Sequence, residues 1–256
     1  MIARRRPDEI ERIRASCQIV FEVQQALEQA IAVGISSAEL NALAEDIIRT
    51  CGARPAFKGY HGFPASICAS LNDRTVHCFP DAQPLRRGDI LSVDVGVELD
   101  GYYGDGAFTI GVDPLRPELE HLLETTRACL DLGVRQARVG NRLTDISHAI
   151  QHHAEGQDLA VVRKYGGHGI GRDLHEDPHI PNCGPPGKGP RLRPGYVFAI
   201  EPIISMGSPE LVTGDDGWTT TTKDGTPTAH FEHTVAITKE GPDILTLPQK
   251  TPVLQP

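Results

Sequence analysis

No apolar run in this 256-residue chain approaches the ~20 residues that span a bilayer. The basic start at Arg4, Arg5 and Arg6 is followed by neither an apolar stretch nor a cleavage site, so it is not expected to be a signal peptide. The six cysteines, at 17, 51, 68, 78, 129 and 183, form no CxxC pair and no framework spacing. In a chain this long without a secretory signal they are expected as reduced cytosolic thiols. Positive charge is also short: the net charge is −9, the wrong sign for a broad nucleic-acid surface. The Arg4–Arg6 tract reads as a solvated terminus, with weak contact to a polyanion such as ribosomal RNA as the alternative.

What is present suits a globular fold. At 39% hydrophobic and 23% charged, the chain can build a real core. Gly and Pro together make ~18% of it, which predicts many turns. The length fits one large domain or two small ones, at roughly 100–200 residues per domain.

Residues 8–31 predict a helix, with Ile10, Ile13, Cys17, Val20, Val23, Leu27 and Ile31 on one stripe. Ser36 with Glu39 predicts a capping box for a second helix, which stops at Gly52. Residues 53–84 read as loop, with one short strand near 66–70. A hairpin of Ile90–Leu99 and Tyr102–Gly111 turns at Asp100-Gly101. Helices are expected at about 117–136 and 143–156, then strands near 161–171, 196–204, 210–222 and 229–238. The tail from Pro248 reads as frayed.

An internal repeat organises these elements. Leu85-Arg86-Arg87-Gly88-Asp89-Ile90 returns 107 residues on as Leu192-Arg193-Pro194-Gly195-Tyr196-Val197, and the same shift carries Asp94 onto Glu201. It also carries His61-Gly62 onto His168-Gly169, and a shift of 106 carries Val33-Gly34 onto Val139-Gly140. Two similar halves predict a pseudo-two-fold axis with a site between them.

Five residues of that site can be argued from local pattern. In the hairpin, Asp105 opposes Gly96 and Asp94 opposes Ala107, so the two aspartates are diagonal neighbours on one face. Such neighbours lie roughly 7–8 Å apart at the backbone, within side-chain reach of one metal centre. Gly96 is expected to leave room beside Asp105. Two like charges on one strand face repel unless something cationic lies between them. In the second half, His168 stands among Gly167, Gly169 and Gly171, Glu201 ends an apolar run, and Glu232 lies inside a strand pattern. A carboxylate buried in a strand costs several kcal/mol unless paired or metal-bound. Four carboxylates and one histidine make an oxygen-rich, nitrogen-poor set, which suits Mn, Fe, Co or Zn, and two ions better than one.

Together with Lys58-Gly59-Tyr60-His61-Gly62-Phe63-Pro64, Val76-His77 and Phe231-Glu232-His233-Thr234, this pattern resembles the type I methionine aminopeptidases of peptidase family M24. The resemblance covers about residues 8–247, with the motifs in the family's order. It implies the pita-bread (creatinase/aminopeptidase) fold: α+β, internally duplicated, around a mainly antiparallel sheet. It implies a single catalytic domain over 1–256, with halves at about 8–112 and 113–247. The chain is similar to the short bacterial form, without the eukaryotic N-terminal zinc-binding segment or the type II helical insertion.

By the same resemblance, two divalent ions (Co, Mn, Fe, Zn or Ni) are expected. Asp94 would hold one, Asp105 and Glu232 would bridge both, and His168 with Glu201 would hold the other. The implied reaction is attack of a metal-bridged hydroxide on the first peptide bond, with Glu201 also handling the proton of the water. His77 and His175 match the two non-ligand histidines around the scissile bond. Tyr60, Phe63, Cys68 and Trp218 match the pocket for the methionine side chain, where a thioether packs well on aromatic rings.

The implied substrates are nascent polypeptide N-termini whose second residue is small. The implied setting is cytoplasmic and monomeric, with ribosome contact in view and with neither DNA nor membrane as partner. Leu174 departs from the family, which usually has an aromatic residue there. Gly96 and Gly106 stand where Thr is frequent, and bulk near Phe57 varies in the family. His121, His148, His152, His153 and His179 match no motif and read as surface, and His233 reads as structural. Two other readings stay open: a prolidase or Xaa-Pro aminopeptidase, whose relatives carry a large extra N-terminal domain, and a non-catalytic binding protein on the same fold.

Overall fold

A computed structural model describes residues 2–249; the end of the tail expected to fray, 250–256, lies outside the described residues. The first helix, α1 (Pro7–Ala30), buries Ile13, Cys17, Val20, Val23 and Leu27 completely, as its 3.6-residue stripe requires. The second, α2 (Ser37–Thr50), starts at the expected box: Glu39 Oε2 accepts from Ser36 N at 2.9 Å and Ser36 Oγ from Glu39 N at 3.3 Å. α1 packs on the Ile90–Leu99/Tyr102–Gly111 hairpin and α2 on α1, and the hairpin register is the expected one, Gly96 against Asp105 and Asp94 against Ala107. Ile67–Leu71 and Arg54–Pro55 pair with the other edge of Ile90–Leu99. α1 crosses the hairpin closely because Gly104 lacks a side chain: a Cβ there would lie 2.7 Å from Cys17 N.

The second half repeats the plan. Helices α3 (Pro117–Gln136) and α4 (Leu143–Glu155) precede an antiparallel sheet ordered Pro242–Ile244, His233–Ile237, Val197–Ile200, Gly166–Gly169, Glu176–Pro181. The repeat extends to single hydrogen bonds. Leu85 N donates to Ile35 O at 2.8 Å, and Leu192 N to Asn141 O at 2.9 Å. Isolated bridges join Ser36 to Pro84 and Arg142 to Arg191. Gly34 and Gly140 hold φ of 98° and 101°. The match fails at His61, which sits exposed in a 3₁₀ turn (Tyr60–Gly62) at φ 48°, whereas His168 lies buried in a strand. The shared His-Gly pair is therefore not a structural equivalence.

Several expected strands are broken, and the breaks matter. The 196–204 strand splits into Val197–Ile200 and Ile203–Ser205 around Glu201-Pro202, because Pro202 has no N–H for the ladder. The 229–238 strand splits into Thr228–His230 and His233–Ile237, and Glu232 N donates to Ala107 O of the first half at 2.9 Å instead. The 161–171 stretch divides into Ala160–Val161 and Gly166–Gly169, and 210–222 folds as a hairpin, Leu211–Thr213 with Thr220–Thr222. Arg54–Pro55 and Arg74–Val76 are strands within the stretch expected as loop, and Glu176–Pro181 and Pro242–Ile244 are strands where none is expected.

Hydroxyl groups stitch the halves together. Thr234 Oγ1 donates to Asp105 O at 2.7 Å and accepts from Asp105 N at 3.2 Å. Thr109 Oγ1 accepts from His230 N and donates to His230 O, both at 2.8 Å. All six cysteines are free, and among the described residues no helix is long and apolar enough to cross a membrane. The Arg4–Arg6 tract is not a free basic strip: Arg6 pairs with Asp8 in solvent, while the Arg5 guanidinium is buried against Glu176.

Candidate active site

The seam brings the five candidate ligands to one place. Asp94 and Asp105 come from the hairpin, His168 from Gly166–Gly169, and Glu201 and Glu232 from the two strand breaks. Asp105, His168 and Glu232 are buried and offer ligand atoms that all lie within 4.8 Å of one another. His168 Nε2 stands 3.6 Å from Glu201 Oε1 and 3.9 Å from Asp105 Oδ2. His168 Nδ1 lies 2.9 Å from Gly169 O. A carbonyl can only accept, so Nδ1 carries the proton and Nε2 presents a lone pair to the carboxylates. The Asp94 carboxylate lies close enough to Asp105 to raise its pKa.

The electrostatics ask for a cation. Among the described residues, the basic partners of these carboxylates are only His168 and His230. Burial holds both imidazoles neutral, with pKa values near 3. Burial pushes Asp94 up to about 7 and Glu201 up to about 8, Asp94 adding to the rise at Glu201. Asp105 and Glu232 are driven well above the usual carboxylate range by burial and then by neighbouring carboxylates. Asp94 Oδ1 and Glu232 Oε1 are buried with no hydrogen-bond partner. Orphaned buried acceptors beside a neutral imidazole form a donor set that fits divalent metal.

An apolar cavity of about 380 Å³ ends at this cluster. Its far wall is Phe57, Tyr60, Phe63, Cys68, Leu174 and Trp218. Trp218 stands edge-on to Phe63 at 5.2 Å, and Phe57 to Phe63 at 6.4 Å. Gly96 serves this wall and not the space beside Asp105: a Cβ there would lie 2.5 Å from the Phe57 ring. His77 and His175 line both this cavity and an adjoining one of about 470 Å³. His175 Nδ1 lies 2.9 Å from the Tyr60 hydroxyl, and its ring is 4.3 Å from that of His168. His77 is held at φ 58°, an uncommon conformation for a non-glycine residue and one that clusters at functional sites. Its ring packs on Tyr165 at 5.0 Å, and burial lowers its pKa to about 4.

A model of metallopeptidase family M24 matches residues 11–239. The chain belongs to metallopeptidase family M24. Methionine aminopeptidase 1 of Bacillus subtilis is 49% identical over 246 residues, covering 96% of this chain and 99% of that protein. Methionine aminopeptidase 1 of Mycobacterium tuberculosis is 48% identical over 254 residues, covering 96% of each. The crystal structure of methionine aminopeptidase from Rickettsia prowazekii matches with a TM-score of 0.95 and 38% identity, over 96% of this chain and 100% of that one. Prolidase from Pyrococcus furiosus matches at a TM-score of 0.78, with 22% identity and 66% of its chain covered, which shows a shared fold alone. The fold of this M24 chain is thus the duplicated pita-bread architecture, and it is a metallopeptidase that uses divalent metal.

One residue of this M24 site escaped the sequence reading. His230 is 3% exposed, and its Nε2, otherwise without a partner, lies 3.6 Å from Glu201 Oε2 and 4.0 Å from Glu232 Oε2. The pattern holds a signal: in the expected 229–238 strand, His230 falls two residues before Glu232 and so on the same face. Of the unassigned histidines, His148 and His152 stack on the exposed face of α4, and His233 turns away to Thr246 Oγ1 at 2.9 Å.

Proposed function

We infer that this chain removes the N-terminal methionine from polypeptides, acting on nascent chains whose second residue is small. One observation carries the reading: an apolar cavity of about 380 Å³, walled by aromatic rings, ends directly on the carboxylate–His168 cluster. The family and its methionine aminopeptidase relatives support it over the prolidase reading and over a non-catalytic one.

Two divalent ions are proposed, drawn from Mn, Fe, Co, Ni and Zn, which an oxygen-rich set with one imidazole accommodates. Asp94 would hold one, and His168 with Glu201 the other. Asp105, which neighbours both Asp94 and His168, and Glu232 would each hold both ions. When bound, the metal lowers the pKa of a water and polarises the peptide carbonyl. The chain's own residues do the rest. Tyr60, Phe63, Cys68 and Trp218 hold the methionine side chain, and Leu174 gives that wall an aliphatic patch. Neutral His77 and His175 donate hydrogen bonds to the carbonyl oxygen and the scissile amide, where developing charge is best stabilised. Glu201 takes the proton of the water and passes it to the leaving amine. The adjoining cavity takes the remainder of the chain. We place the whole activity in one catalytic domain, with halves at about 8–112 and 113–247 meeting at the site.

The test compares Met-Ala-Ser with Ala-Pro-Ser on metal-stripped protein given back Mn, Co, Fe or Zn. Release of methionine, only with metal, is the expected result. Cleavage before proline moves the chain to the prolidase branch, and cleavage of neither peptide overturns the reading. Separately, His77→Ala is expected to lower kcat by about 10²-fold, the typical cost of one lost oxyanion donor, with metal content unchanged. Loss of metal, read by elemental analysis, would make His77 a ligand instead.

A further inference from the structure

Arg5 is the buried member of the N-terminal basic tract, with its side chain 9% exposed. Its backbone N–H donates to Gly195 O at 2.7 Å, and its Nη2 donates to both carboxylate oxygens of Glu176. Two glycines make the slot it occupies. A Cβ on Gly195 would lie 2.7 Å from Arg5 O, and one on Gly171 would lie 2.5 Å from Arg5 Nε. A side chain at Gly195 would meet the Arg5 backbone and one at Gly171 its guanidinium, so both glycines leave the space this segment fills.

Glu176 carries the contact onward. Its Oε1 accepts from Arg172 N at 2.7 Å and from Asp173 N at 3.1 Å, which closes the 171–176 loop on itself. Arg172 straps the same loop to α1 and to the hairpin, donating from Nη2 to Glu9 Oε1 at 3.1 Å and to the Tyr102 hydroxyl at 2.7 Å. His175 is the residue immediately before Glu176. Among the described residues, Arg5 is the one side-chain cation paired with Glu176. Removing it leaves a half-buried carboxylate without its counter-charge, a state that favours rearrangement of the segment.

We propose that Arg5 is a positioning residue for the reaction: through Glu176 it fixes the 171–176 loop and so holds the His175 imidazole against the site. The proposal deepens the functional reading above and rests on His175 acting at the scissile bond. The N-terminal arm is then part of the catalytic apparatus although no atom of it reaches the substrate.

The experiment is a double-mutant cycle on the metal-loaded full chain, with steady-state kinetics on Met-Ala-Ser. Arg5→Met and Arg5→Lys are each made in the wild-type and His175→Ala backgrounds, with metal content and Tm measured alongside. Arg5→Met is expected to lower kcat about tenfold or more with KM little changed, since a ~1 Å misplacement can cost up to about 10²-fold. Arg5→Lys, which keeps the charge, should recover most of the loss. In the His175→Ala background Arg5→Met should cost nothing further, because the group it positions is gone. An equal kcat loss in both backgrounds means a general structural role and overturns the proposal. So does full activity of Arg5→Met beside an impaired His175→Ala. Full activity of His175→Ala alone overturns the reading of His175 itself and the proposal with it. If Arg5→Met fails to fold, Arg5→Gln carries the same comparison.

Discussion

His168→Ala is expected to lower kcat/KM at least about 10²-fold while the protein stays folded. Removing only the outer partner of a metal ligand typically costs 10–100-fold in affinity or activity, and His168 is the one nitrogen donor in the proposed set. Its Nε2 faces Glu201 and Asp105 with its lone pair, held there by the Nδ1 bond to Gly169 O. The side chain is flanked by glycines and lies at the edge of the cavity, so truncation opens space without breaking the core. Circular dichroism should be unchanged, and elemental analysis should show reduced metal stoichiometry. A variant with full activity and full metal content would sink the ligand assignment.

The second large effect is on stability against pH without metal. A carboxylate whose folded pKa is raised keeps a proton in the native state that the unfolded chain has lost. Stability then falls as pH rises from the unfolded value, about 4, to the folded one. Asp94 and Glu201, at about 7 and about 8, behave this way, and so do Asp105 and Glu232. Buried neutral histidines do the opposite. His168 and His230 near 3 and His77 near 4 lose stability as pH falls below about 6.5.

The two families oppose each other between about pH 4 and 6.5, and above that the carboxylates act alone. Each group still protonated contributes roughly 1.4 kcal/mol per pH unit. At ~2–4 °C per kcal/mol for a chain of this size, Tm of the metal-stripped protein should fall by roughly 5 °C or more from pH 6.5 to 8. Added Mn²⁺ should raise Tm more at pH 8 than at pH 6.5, because the ligands bind deprotonated. A flat or rising Tm in the stripped protein would contradict the buried-carboxylate account.

Much of this was legible in the chain because its signals are local. The Asp100-Gly101 turn fixes the hairpin register, and with it the relation of Asp94 to Asp105. The repeat of Leu-Arg-x-Gly marks equivalent backbone turns, down to the bonds of Leu85 and Leu192. What failed was non-local. His61 and His168 share a dipeptide, yet one is in a turn and the other in a strand, because pairing with Val197–Ile200 decides the second. The strand pattern relates Gly96 to its cross-strand partner, but the ring that needs its space, Phe57, arrives from a loop 39 residues earlier in the chain. His230 and Arg5 take their meaning from groups far along the chain, Glu201 and Glu176. Periodicity carries no information about such meetings.

The seam has a consequence for assembly. The first half supplies Asp94 and Asp105 to the proposed metal set, and the second supplies His168, Glu201 and Glu232. Neither set alone could close around two ions. If the backbone were cut in the 112–116 connection, the pieces would stay together through polar contacts such as Thr234–Asp105, Thr109–His230 and Arg5–Glu176, the apolar core and whatever the metal adds. Metal would then act as a coupling agent between fragments. Retention of metal by a nicked protein would measure docking of the pieces as directly as a sizing column.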